Sequence, residues 1–131
     1  MNMKNLYLYG KLFTEDFFTN MKNLGKITES IAEKFLIKNG YKILEKNYWL
    51  KRYGEIDIIA KKDKIYYFYE VKALKENSIF DPSIHYSSQK KKRLEKLVLY
   101  YTNKHNIDEY IRGLITIKIG KKIKIKKYEN V

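Results

Sequence analysis

The apolar residues of this chain change period along its length, and the order of those changes leaves few folds open. From about Lys26 to Lys38, Ile27, Ile31 and Phe35 recur every fourth residue with Ala32 and Leu36 beside them, and Asn39-Gly40 stops the run. That is the pattern of an amphipathic helix with a left-handed C-terminal residue. β-Branched and aromatic residues then dominate. Tyr41 to Leu50 reads as a strand, Lys51-Arg52-Tyr53-Gly54 as a basic turn, and Glu55 to Ala60 as a second strand. Lys62-Asp63-Lys64 turns the chain into Ile65 to Lys72, which predicts a hairpin. After a loop around Asp81-Pro82, Ser87 or Ser88 caps a helix reaching about Lys104, with Leu94, Leu97, Val98 and Tyr101 as its apolar stripe. Ile115, Ile117 and Ile119 then alternate with Thr116 and Lys118, Gly120-Lys121 supplies a two-residue turn, and Ile123 and Ile125 alternate with Lys122, Lys124 and Lys126. This second hairpin is expected to be apolar on one face and lysine on the other. Helix, strands, helix, strands in that order predicts an α/β fold, a mixed β-sheet flanked by helices.

The 131 residues suit one domain, and no repeat or Pro/Gly/Ser-rich linker divides them. Residues 1–23 read as a lead segment, in which Thr14 ahead of Glu15-Asp16 caps a short helix containing Phe17, Phe18 and Met21. Residues 24–131 form the domain proper. The absence of cysteine excludes a disulfide framework, cysteine-ligated zinc, an iron–sulfur cluster and a thiol nucleophile. No apolar run approaches the roughly 20 residues of a membrane span, and Leu6-Tyr7-Leu8-Tyr9 is too short for a signal peptide's core. A cytoplasmic protein without membrane contact is expected. Lys and Arg number 28 against 15 Asp and Glu, a net charge of +13, of which +10 falls in residues 61–131. Such an excess points first to a polyanion, and nucleic acid is the common one.

Chemistry concentrates in Gly54-Glu55-Ile56-Asp57 and in Glu70-Val71-Lys72. Period 2 puts Glu55 with Asp57, and Glu70 with Lys72, on common faces of their strands, and a hairpin lets the two pairs meet. Acidic groups at the end of apolar strands are costly to bury unless a cation or hydrogen bonds compensate. Mg²⁺ or Mn²⁺ suits that task, taking oxygen ligands from one or two carboxylates together with substrate phosphate. Lys72 would then contact the scissile phosphate or the attacking water, and phosphodiester hydrolysis is the natural reaction. The same residues also fit a solvated edge pair and ordinary turn chemistry. Tyr67, Tyr69 and Val71 on one side, with Ile56, Ile58 and Ile59 nearby, favour central strands.

Asp57 with Glu70-x-Lys72 resembles the PD-(D/E)xK nuclease motif. Gly25-x-x-x-Glu29-x-x-Ala32, Asn39-Gly40-Tyr41, Glu45-x-Asn47, Gly54-Glu55-Ile56-Asp57-x-Ile59-Ala60 and Glu70-Val71-Lys72, with the helix from Lys90 to Tyr101, resemble the bacterial YraN family over residues 24–118. The resemblance implies a restriction-endonuclease-like core and kinship with Holliday junction resolvases. It implies Asp57 and Glu70 as metal ligands, the Val71 carbonyl as a further ligand, Lys72 as the catalytic lysine, and Glu29 as an acid carried to the site by the first helix. Glu29 lies off the centre of the apolar stripe, so a solvated glutamate fits it equally. Glu55 belongs to the signature without an assigned role, either supporting the ligands from behind or bonding the turn. Thr28 and Asp81 stand where the family usually has Gly, and neither replaces a candidate ligand.

Lys51 and Arg52 lie next to the candidate site and are expected to contact phosphate. Lys90, Lys91, Lys92 and Arg93 open the long helix, where cations oppose the helix dipole, so they either serve an anionic ligand or form a solvated face. Lys118, Lys122, Lys124 and Lys126 either track a nucleic-acid backbone or protect an edge strand. His85 and His105 lack a metal-binding partner at ligand spacing and are expected in loops or on the surface. The expected function is a metal-dependent nuclease acting on DNA in preference to RNA, branched or structured DNA foremost. Resolvase kinship implies a homodimer. The alternative is a non-catalytic nucleic-acid-binding module with the same fold.

Overall fold

The structure, a computed structural model, describes residues 2–8, 24–79 and 86–131. Its elements are β1 (Asn2–Leu8), α1 (Leu24–Lys38), β2 (Lys42–Leu50), β3 (Gly54–Lys62), β4 (Ile65–Leu74), α2 (Ser88–Lys104), β5 (Tyr110–Ile119) and β6 (Ile123–Glu129). The short helix expected around Phe17 and Phe18, the Asp81-Pro82 loop and His85 lie outside the described residues.

Local chemistry sets the helix ends. Gly40 takes φ +89, a left-handed conformation that costs glycine little, while Tyr41 N–H closes onto the Leu36 carbonyl at 2.9 Å and ends α1. At the start of α2 the Ser87 hydroxyl accepts the Lys90 N–H at 3.2 Å, the expected cap.

Among the described residues the strands form one six-stranded sheet in the order β1-β6-β5-β4-β3-β2. Only β4 and β5 pair in parallel, with Glu70 beside Leu114 and Lys72 beside Thr116. Parallel neighbours need a crossover, and α2 lies within that connection. Both faces of the central strands are covered. On one face Ala32, Phe35 and Leu36 of α1 pack on Ile58, Ala60, Tyr69, Ile115 and Ile117. On the other, the predicted stripe of α2 (Leu94, Leu97, Val98 and Tyr101) packs on Ile56, Ile59, Phe68 and Leu114. The result is the α/β architecture expected, a mixed sheet between helices consistent with a restriction-endonuclease-like core.

The C-terminal hairpin differs from expectation in two details. Ile119 pairs with Ile123, so three residues connect the strands, with Gly120 N–H donating to the Lys122 carbonyl at 3.2 Å. The face expected to be lysine begins with Thr116, only 2% exposed. Lys127, 5% exposed, continues the buried side of β6. Its ammonium is satisfied by donation to Tyr41 Oη at 2.6 Å and by Glu129 Oε1 at 3.2 Å, as a buried charge requires.

Candidate metal centre

The β3–β4 ladder runs from Lys62 opposite Ile65 to Ile58 opposite Tyr69, and the candidate residues lie just beyond its end. There Val71 N–H donates to Asp57 Oδ2 at 2.8 Å, so a side chain takes a bond that a ladder carbonyl would otherwise accept. The side-chain alternation of β3 also changes here. Ile58 belongs to the α1 face and Ile56 to the α2 face, although residues two apart on a regular strand share a face. β2 follows the same rotation. Lys46 ion-pairs with Glu33 of α1 at 2.9 Å, whereas Tyr48 stacks edge-on against Tyr101 of α2 with ring centroids 5.1 Å apart. Asn47 sits between them at φ +52, a conformation that asparagine tolerates better than most residues.

This double rotation turns Glu55 and Asp57 toward α1. Carboxylate oxygens of Glu29, Glu55 and Asp57 all lie within 4.8 Å of one another. Glu29 is held in place by Asn47, whose Nδ2 donates to both its oxygens at 3.1 Å. Burial pushes the Asp57 carboxyl up to about 7 against the opposing Val71 N–H, and Glu70, Glu29 and Glu55 push the same way. Three converging carboxylates in a partly buried site repel one another unless a proton or a cation intervenes. An all-oxygen donor set of this kind fits Mg²⁺ or Mn²⁺.

Glu70 takes a different partner. Arg93 Nη2 of α2 donates to Glu70 Oε1 at 2.6 Å, and Nη1 reaches the Glu55 carbonyl at 3.4 Å. Burial still raises the Glu70 pKa, opposed by Arg93 and Lys90. Arg93 thus links α2 to the ends of β3 and β4. Gly54 makes room for it, since a Cβ at this position, where φ is +96, would lie 2.7 Å from Arg93 Nη1.

Of the residues singled out from sequence, Glu29, Glu55 and Asp57 are brought together, while Glu70 lies near Asp57 and Glu55 but is engaged by Arg93. Lys72 is half-buried, two residues past Glu70. Val71 contributes its N–H to Asp57 and packs against the α1-side core. Lys51 and Arg52 are exposed at the β2–β3 turn, with Arg52 at φ +73. Lys90 and Lys92 are exposed on the first turns of α2, while Lys91 lies over the Tyr86 ring. His105 is exposed at the C-terminal end of α2. Sequence reasoning passed over the role of Asn47 and the position of Trp49. The signal for Asn47 was its residue type, prone to positive φ, in the middle of a strand.

A family model described as uncharacterised protein family UPF0102 matches residues 28–119. A UPF0102 protein of Aliarcobacter butzleri is 38% identical over 104 residues, 79% of this chain and 93% of its own. One from Campylobacter hominis is 42% identical over 105 residues, 79% of this chain and 88% of its own. One from Nitratiruptor sp. is 50% identical over 88 residues, 65% of this chain and 72% of its own. All candidate carboxylates and Lys72 fall inside the matched span. Among the described residues no helix is long and apolar enough to cross a membrane.

Proposed function

The chain belongs to the uncharacterised protein family UPF0102, the YraN family, and we propose that it is a Mg²⁺- or Mn²⁺-dependent nuclease hydrolysing phosphodiester bonds in branched or otherwise structured DNA. The observation that carries this reading is the convergence of Glu29, Glu55 and Asp57 within 4.8 Å, one strand away from Glu70 and Lys72. Glu29, Glu55 and Asp57 would hold the cation, and the Val71 N–H fixes the orientation of Asp57. Bound Mg²⁺ or Mn²⁺ supplies Lewis acidity, stabilising charge on the phosphate and making a water nucleophilic near neutral pH. Lys72 contributes a positive charge toward the scissile phosphate, which strengthens as negative charge builds on its oxygens. Lys51 and Arg52 hold flanking phosphates at the mouth of the site. The +13 charge suits a polyanionic substrate, and a DNA substrate suits a cytoplasmic protein. A homodimer suits symmetric cleavage of two strands.

A second reading, a non-catalytic nucleic-acid-binding module, is favoured by one contact. The 2.6 Å pairing with Arg93 withdraws Glu70 from the carboxylate set. The two are separated by incubating wild type, Asp57→Ala and Lys72→Ala with junction, flap and linear DNA in Mn²⁺ or EDTA. The nuclease reading expects Mn²⁺-dependent cleavage by wild type alone, and background cleavage by all three contradicts it.

A further inference from the structure

Resting on the nuclease reading, we infer that Trp49 selects DNA containing unpaired bases by stacking on a base displaced beside the acidic cluster. Trp49 is 65% exposed on β2, an end strand of the sheet among the described residues. Its Cα partner across the β2–β3 ladder is Glu55. Directly opposed residues project from the same face with Cβ atoms about 4.5–5.5 Å apart. Trp49 therefore leaves the sheet beside Glu55, one member of the Glu29–Glu55–Asp57 cluster. Its neighbours explain why it stays uncovered. Tyr48 and Leu50 turn to the opposite face and join the α2-side core, and among the described residues no strand lies beyond β2.

The surroundings fit a nucleotide rather than an apolar partner. Lys51 and Arg52 follow at the exposed turn, and Tyr53 beside them is 44% exposed with Lys96 Nζ 6.0 Å from its ring centroid. Cations that grip phosphates next to an open aromatic ring make up the arrangement that binds unpaired strands, the charge tracking the backbone and the ring taking a base face. A continuous duplex keeps its bases stacked and offers Trp49 no face. A fork or junction, with bases already unpaired, offers one at little cost. The substrate class that the site takes is thus DNA in which the scissile phosphate adjoins an unpaired base.

Trp49 is the chain's one tryptophan, so fluorescence excited beyond the absorption band of the 13 tyrosines reports on it alone. Wild type, Trp49→Ala and Trp49→Phe are titrated with fluorescein-labelled fork and blunt duplex of equal length, with Ca²⁺ in place of Mg²⁺. Binding is read from anisotropy of the label, and tryptophan emission from parallel titrations with unlabelled DNA. Saturating fork should quench and shift the wild-type emission while duplex leaves it near its starting value. Trp49→Ala should lose about tenfold or more in fork affinity, so that its fork-over-duplex ratio collapses toward one, and Trp49→Phe should retain most of the preference. Emission unchanged at saturating fork, or a Trp49→Ala ratio equal to wild type, overturns the inference. So does emission that changes with protein concentration alone, which would assign the indole to an interface with a second copy. Failure of wild type to bind either DNA removes this inference together with the nuclease reading. Mn²⁺-dependent cleavage accompanied by a silent tryptophan removes this inference only.

Discussion

Asp57 is the candidate site residue whose charge its environment penalises most clearly. Burial and three neighbouring carboxylates hold its pKa at about 7, against 3.8 for an unperturbed aspartate. Between those values the folded protein binds a proton that the unfolded chain has released. The metal-free protein should therefore lose stability as pH rises from about 4 to about 7 and change little from this source above that range. Melting curves in EDTA across pH 4–8 test the sign, with Mn²⁺ expected to restore the melting temperature at pH 8. Asp57→Asn, which cannot ionise, should melt higher than wild type at pH 8 in EDTA, by about 4 °C for each kcal/mol recovered at this chain length. It should gain little from Mn²⁺. A wild-type protein in EDTA that is more stable at pH 7 than at pH 5 would contradict the assignment, as would an unchanged melting temperature for Asp57→Asn.

At the scale of the element, the site exists because two strands rotate together. Asn47 at φ +52 and the change of face between Ile56 and Ile58 bring Glu55 and Asp57 round to Glu29. Gly54 at φ +96 begins β3 and leaves room for the Arg93 guanidinium. Gly54→Ala combines a strained backbone with a contact that forces Arg93 aside, and should destabilise the protein by about 1–3 kcal/mol, measured by urea unfolding. Arg93→Ala should relieve the steric part of that cost in the double variant, so the two changes are expected to be non-additive. Additive losses would mean that the glycine serves backbone conformation alone. Helices were legible in the sequence because each buries one stripe, and Leu94, Leu97, Val98 and Tyr101 all lie where their spacing placed them. The face change at Asn47 was not, because period-2 reasoning assumes a regular strand. For the same reason Glu55 carried a signature without a role, and Glu29, off the stripe of α1, was tied to the site only by family resemblance. The burial of Lys127 was not legible in the sequence, since the tyrosine and glutamate that make it tolerable come from positions 41 and 129.

For the whole molecule, the sheet with helices on both faces was readable from the order of periods, and the +13 charge pointed to a polyanion. Which cations face the site depends on the fold. Arg93, grouped by sequence with three lysines, is turned inward onto Glu70, whereas Lys51 and Arg52 remain exposed at the turn between the two site strands. If those two hold phosphates, changing both to Gln should flatten the slope of log K against log[salt] for duplex DNA by about 2 units, near 0.9 per contact. An unchanged slope would move the phosphate grip elsewhere on the surface. Exposed lysines Lys121, Lys122 and Lys124, which line a cavity of about 230 Å³ with Lys118 and Glu76, would be the next residues to alter.

The proposed nuclease activity resides in a metal centre of Asp57 and its two neighbouring glutamates. Its most direct test is the single-turnover cleavage rate of a labelled four-way junction against Mn²⁺ concentration, for wild type and Asp57→Asn, with binding of the same junction measured alongside. Wild type should cleave at a rate that rises with Mn²⁺ and saturates, falling to background in EDTA. Asp57→Asn should bind the junction yet stay at background throughout. Equal cleavage by both proteins, or binding without Mn²⁺-dependent cleavage by either, would contradict the account.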